Sequence, residues 1–153
     1  MTRVLEPGAH GLVRAALNRL IPAGGQFPGA GDIDLIPLLD EAAGASPAAI
    51  RMYAEGILQI ALESERRYRQ RFDELTGAEQ EAVLRAIEQA QPAFFETLLR
   101  QVYVLYYSHP SVIPLLGLGT EPPQPAGHAL TAFDPALTSA MGQRPPLYRR
   151  PPR

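Results

Sequence analysis

The sequence predicts an all-α fold: a single helical domain of about five helices over residues 1–119, then an irregular, Pro-rich C-terminal arm over residues 120–153. Three observations carry that expectation. Apolar residues recur at spacings of three and four along much of the first part of the chain. Helix-start signals at Ser46-Pro47, Thr76-Gly-Ala-Glu79 and Pro92 divide those stripes into separate segments. Beyond Gly119 the large aliphatics thin out, and half of the 16 prolines lie from Glu121 onward, so no independent core forms there.

The first helix runs from about His10 to Ile21, with Leu12, Val13, Ala16, Leu17 and Leu20 on one side. Pro22 stops it, and AGGQFPGAGD is a Gly- and Pro-rich loop. Asp32 and Asp34 are the candidate caps of a short second helix through Asp40, with Pro37 in its first turn and Gly44 closing it. Ser46-Pro47 opens a third helix whose stripe is Ile50, Tyr53, Ala54, Ile57, Leu58, Ala61 and Leu62. It extends as far as Phe72, with Gly56 a tolerated weak point costing about 1 kcal/mol against Ala. A capping box at Thr76 and Glu79 starts a fourth, with Val83, Leu84 and Ile87 inward, ending near Gln91.

The last and most apolar segment is QPAFFETLLRQVYVLYYSHPSVIPLLG, Gln91 to Gly117. Phe94, Phe95, Leu98, Leu99, Val102, Tyr103 and Tyr106 form its stripe, and Val104, Leu105 and Tyr107 fill the other faces. Val102 to Tyr107 are also good strand formers, but the upstream register runs into them without a breaker, which favours helix. The fourth and fifth segments are either two helices or one helix kinked at Pro92. His109-Pro110 ends the run, because a residue before proline is driven out of the α region. A helix apolar nearly all round needs cover on more than one side.

The chain has 153 residues, one domain by length, with 46% hydrophobic and 20% charged residues and a net charge of −2. That charge gives no electrostatic reason to expect nucleic acid. The arm is net basic, with Arg144, Arg149, Arg150 and Arg153 against Glu121 and Asp134. Absence of cysteine excludes disulfides, Cys-bound zinc, iron–sulfur clusters and covalent c-type haem in this chain. No apolar run is long enough for a direct membrane span. MTRVLEPGAH carries neither a signal peptide nor a twin arginine, so the chain is expected to be cytoplasmic when alone, and periplasmic or membrane-associated when exported with a partner.

No motif supplies a self-contained active site. ESERRYRQRFDE interleaves Glu63–Arg67, Glu65–Arg69 and Arg69–Asp73 at i,i+4, the pattern of a solvated helix face rather than a phosphate site. Asp32 and Asp34 lack the further oxygen ligands of a calcium loop. His10, His109 and His128 are scattered, without the Glu-x-x-His repeats of a di-iron bundle. The glycine pairs at 29/31 and 117/119 are too short for a dinucleotide fingerprint. No catalytic, metal or cofactor-binding residue is therefore assigned.

The ordered set Leu-Ile-Pro, Pro-Gly-Ala, Thr-x-x-Glu-Gln, Phe-Phe, Tyr-Tyr-Ser-x-Pro and Leu-Gly, spread from Leu12 to Gly119, resembles the gluconate 2-dehydrogenase subunit 3 family. The resemblance implies a small, non-catalytic subunit of a membrane-associated, FAD-dependent alcohol or sugar-acid dehydrogenase, needed for assembly and export. In such complexes a large glucose–methanol–choline-type flavoprotein holds FAD, and a cytochrome c subunit, with its haem c, often takes the electrons. Two features depart from the family pattern: MTRVLEPGAH holds no twin arginine, and LGLGTEPPQPAG has no aromatic-Pro-Gly segment. The expected partner contact is Tyr103, Tyr106, Tyr107, His109, Pro110, Pro114 and Gly117, with Arg149 and Arg150 of the arm adding charge. Two other classes stay open at this point: a free-standing helical metal-binding protein or small enzyme, and a soluble helical adaptor for an unrelated partner.

Overall fold

A computed structural model describes residues 4–117. They form five α-helices and no strand: α1 (His10–Leu20), α2 (Ile36–Ala43), α3 (Pro47–Tyr68), α4 (Gly77–Ala90) and α5 (Pro92–Tyr107). Three short 3-10 turns, Pro7–Ala9, Phe72–Glu74 and Ile113–Leu116, lie between or beyond them. Within this all-α domain, α4 packs against α1, α3 and α5, and α5 also packs against α2 and α3. The arm expected over residues 120–153 lies outside the described residues.

The helix starts follow local chemistry. Ser46 accepts from the Ala49 N–H at 3.1 Å, with Pro47 in the first turn of α3. At α4 both halves of the capping box are present: the Thr76 hydroxyl accepts from the Glu79 N–H, and Glu79 accepts from the Thr76 N–H at 2.9 Å. Gln91, with non-helical backbone angles (φ −136°, ψ 62°), separates α4 from α5, so these are two helices rather than one with a kink. Val102 to Tyr107 are helical.

Several expectations are corrected. Neither Asp32 nor Asp34 caps α2, which starts at Ile36 without a side-chain cap. Asp32 instead accepts from the Asn18 amide at 2.9 Å, while Asn18 Oδ1 accepts from the Gly31 N–H at 2.7 Å. These bonds tie the Gly-rich loop to α1, where a Cβ on Gly31 would run into the Arg14 carbonyl. Helix α3 ends at Tyr68, not Phe72, because Arg69 adopts a left-handed conformation (φ 57°) and its N–H bonds to Glu65 O at 3.0 Å. The Glu63–Arg67 pair forms, but Arg69 joins neither Glu65 nor Asp73; Arg66 bonds Glu63 and Arg71 bonds Asp73.

The inward stripe of α3 is Tyr53, Gly56, Ile57, Ile60 and Ser64. Leu58 and Leu62 are 55% and 51% exposed, contrary to the expected stripe. Small and polar residues occupy two inward positions: Ser64 returns its hydroxyl to Ile60 O at 2.7 Å, and Gly56 lies under the Phe94 ring of α5. Tyr53 meets the same ring edge-on at 6.1 Å. Gly56 is thus a contact the packing requires, not a weak point.

Gly56→Ala is expected to destabilise by about 1–3 kcal/mol through overpacking against Phe94, whereas Gly→Ala in an exposed helix stabilises by about 1 kcal/mol. Urea unfolding of the variant checks the sign, and Phe94→Leu in the same chain should recover part of the loss.

Candidate functional site

The rotation of α5 is set by an i,i+4 row of buried side chains, Phe94, Leu98, Val102 and Tyr106. Tyr106 is 1% exposed, and its hydroxyl donates to Pro28 O at 2.7 Å, fastening the end of α5 to the Gly-rich loop. Burial, with the neighbouring Tyr107 adding to it, pushes the Tyr106 hydroxyl above the ordinary phenol value, so it remains a protonated donor. Tyr106 is therefore a core residue of this chain and offers no face to a partner. That removes it from the expected contact set as an exposed anchor.

The neighbouring positions point the other way. Tyr103 and Tyr107 are 42% and 48% exposed and stacked on each other, with ring centroids 6.1 Å apart and planes 20° apart. Val104, 57% exposed, lies beside them in sequence on the same helix, and Ile113 is 40% exposed in the turn that follows. Tyr107 also meets Tyr106 edge-on at 5.2 Å, so one core ring braces the exposed pair. Below Tyr107 lies a cleft of about 300 Å³ bordered by Ile21, Pro22, Phe27 and Leu116.

The segment after α5 is ordered by its own bonds. His109 Nδ1 accepts from the Ser111 N–H at 3.3 Å and lies 2.7 Å from the Ser111 hydroxyl, and the His109 carbonyl accepts from the Val112 N–H. This turn buries Val112 and leaves Pro110 and Pro114 exposed. Gly117 ends it in the left-handed region, φ +67°. The Gln26 amide donates to Leu115 O at 3.1 Å, so the loop after α1 borders the same surface. Sequence reasoning missed Gln26, Phe27 and Pro28 here, because a loop's long-range partners leave no periodic signal. Arg149 and Arg150 lie outside the described residues.

No group of three or more His, Asp or Glu side chains comes together among the described residues in a way that would hold a metal ion. No described helix is long and apolar enough to cross a membrane. The charged end of α3 is a surface pair system, in which Glu63 receives Arg66 Nε at 2.8 Å and also bonds Arg67. Hydrogen bonding from Arg66, the largest cause, together with Arg67, holds the Glu63 carboxyl down at about 2.

The family model for gluconate 2-dehydrogenase subunit 3 matches residues 9–116. The chain belongs to the gluconate 2-dehydrogenase subunit 3 family. The match spans α1 through the turn after α5, the whole helical domain apart from its first residues. The subunit 3 family is one of accessory subunits in a multi-subunit dehydrogenase complex, so protein partners follow from membership. No curated protein and no solved structure gives a significant match to the chain.

Two outcomes are expected from this geometry. Tyr106→Phe strands the Pro28 carbonyl and should cost about 1–3 kcal/mol in urea unfolding, whereas Tyr107→Phe should stay within about 0.5 kcal/mol of wild type. For Glu63, a folded-state pKa lowered to about 2 means stability that is complete above the ordinary glutamate range and lost as pH falls toward 2. The arginines are solvated, so the loss should be no more than about 1 kcal/mol. Glu63→Gln should flatten that part of the acid dependence of the unfolding midpoint.

Proposed function

We propose that this chain is the non-catalytic small subunit of an FAD-dependent alcohol or sugar-acid dehydrogenase of the gluconate 2-dehydrogenase kind, stabilising its large flavoprotein subunit. The large subunit, of the glucose–methanol–choline type, holds FAD and performs the oxidation. A cytochrome c subunit, where one is present, carries haem c and accepts the electrons. The family membership supports this reading, and one observation supports a particular contact: the stacked, half-exposed Tyr103–Tyr107 pair with Val104 beside it. Tyrosine combines a large rigid apolar area with a polar tip, the type enriched at interface centres.

The contact surface on this reading is Tyr103, Val104 and Tyr107, continued by His109, Pro110, Ile113, Pro114 and Gly117. Arg149 and Arg150, which lie outside the described residues, are proposed to add charge to the interaction, which favours encounter rate over affinity. No grouping of His, Asp or Glu among the described residues favours the metal-binding reading.

The test is co-expression with a large flavoprotein subunit of the glucose–methanol–choline type. Tyr107→Ala should leave the chain folded by circular dichroism and weaken association at least roughly 30-fold, the loss expected when an interface anchor worth about 2 kcal/mol is truncated. Truncation after Thr120 should weaken it by less. Wild-type binding by Tyr107→Ala together with a Tyr103→Ala variant would refute the surface. Flavin absorbance or dye-linked dehydrogenase activity in the pure, partner-free chain would refute the accessory role.

A further inference from the structure

A second surface, sharing no residue with the α5 face, lies across the start of the domain. A groove of about 590 Å³ opens between residues 4–12 and the outer face of α3 with residues 70–73. Its floor is apolar and buried, built from Leu5, Leu12, Ile57 and Phe72. Leu58 and Leu62, one helical turn apart on α3, stand at its lip with about half of each side chain exposed. The N-terminal wall is held in place, because Asp40 Oδ1 accepts from the N–H groups of both Val4 and Leu5, at 2.8 and 2.6 Å.

The charge of the groove has one sign. Four charged residues line it: Glu6, Glu65, Arg71 and Asp73. Arg71 gives both Nε and Nη2 to the Asp73 carboxylate at 3.1 Å, so that pair cancels itself. Glu6 and Glu65 are in no ion pair among the described residues. Arg66 and Arg67 turn to Glu63, and neither they nor Arg69 line the groove. Among the described residues the result is an apolar slot with two carboxylates in no ion pair.

We propose that this groove seats a helix of a protein partner that carries two apolar side chains one turn apart, with a Lys or Arg beside them. Amphipathic helices enter apolar grooves through anchors at i and i+4. The lip geometry favours such an occupant over a small molecule, since small-molecule sites enclose most of their ligand, whereas Leu58 and Leu62 stay open to the side. The Glu6 and Glu65 carboxylates lining the groove select a basic flank and disfavour anionic lipid or nucleic acid. The proposal needs nothing from the flavoprotein reading, and a chain with both surfaces would bridge two partner elements.

The chain has no tryptophan, so a Trp-bearing peptide reports binding to the full-length protein without background. Two synthetic helical peptides are compared, each with Leu at i and i+4 and one Trp, one flanked by Arg and the other by Glu. The Arg-flanked peptide should bind at least tenfold tighter. Leu62→Gln, at an exposed position, should keep the circular dichroism spectrum and weaken that binding at least tenfold, while Tyr107→Ala should leave it unchanged. Glu6→Arg with Glu65→Arg should invert the preference. Equal binding of the two peptides, no binding of either, or insensitivity to Leu62→Gln or to the charge reversal would overturn the proposal.

Discussion

Four side chains, Phe94, Leu98, Val102 and Tyr106, decide which way α5 faces, and much of the rest depends on that rotation. They lie on one i,i+4 row, so burying them fixes the helix about its axis to within a fraction of a turn. At the N-terminal end Phe94 closes over Gly56 and against Tyr53, where a side chain on residue 56 would not fit. At the C-terminal end the Tyr106 hydroxyl bonds to Pro28 O, so the last turn cannot rotate without stranding a donor and an acceptor. With the row fixed at both ends, Tyr103, Val104 and Tyr107 have no route into this chain's core. Their exposure follows from packing elsewhere on the same helix.

This gives a physical reason for a helix that is more apolar than one core demands. A strongly apolar outward face lowers solubility, so it persists where something covers it. Membership of an accessory-subunit family supplies a class of partner, and the stacked tyrosine pair gives the face a preformed shape that loses little side-chain entropy on contact. The loop at Gln26–Pro28 and the turn from His109 to Gly117 border this face through bonds far apart in sequence, including Gln26 to Leu115 O. That arrangement couples the proposed contact surface to the stability of the domain.

The sequence made helix starts legible because their chemistry is local: Ser46, Thr76 with Glu79, and the first-turn prolines each act within three residues. Ends and rotations were less legible. Arg69 terminates α3 in a left-handed conformation that favours glycine, so no residue type announced the stop. The rotation of α3 was misjudged because two inward positions are held by Gly56 and Ser64, while Leu58 and Leu62 lie outside. Counting apolar residues placed Tyr53 and Ile57 correctly but turned the stripe too far toward Leu58 and Leu62, since what Gly56 packs against is a ring from another helix. The same disguise hid the acidic groove. For α5 the period was clear but its stripe was too wide, and only the Pro28 contact shows that Tyr106, not its neighbours, points inward. The family resemblance was legible over nearly the same span as the match to residues 9–116.

The most direct measurement is chemical footprinting of the tyrosines, read by mass spectrometry, on the free chain and on the chain bound to the proposed flavoprotein partner. In the free chain Tyr103 and Tyr107 should be modified readily and Tyr106 should be protected, as their exposures of 42%, 48% and 1% require. In the complex, Tyr103 and Tyr107 should become protected as well. Modification of Tyr106 in the folded free chain would contradict the helix rotation, and Tyr103 and Tyr107 remaining as reactive in the complex as in the free chain would contradict the partner surface.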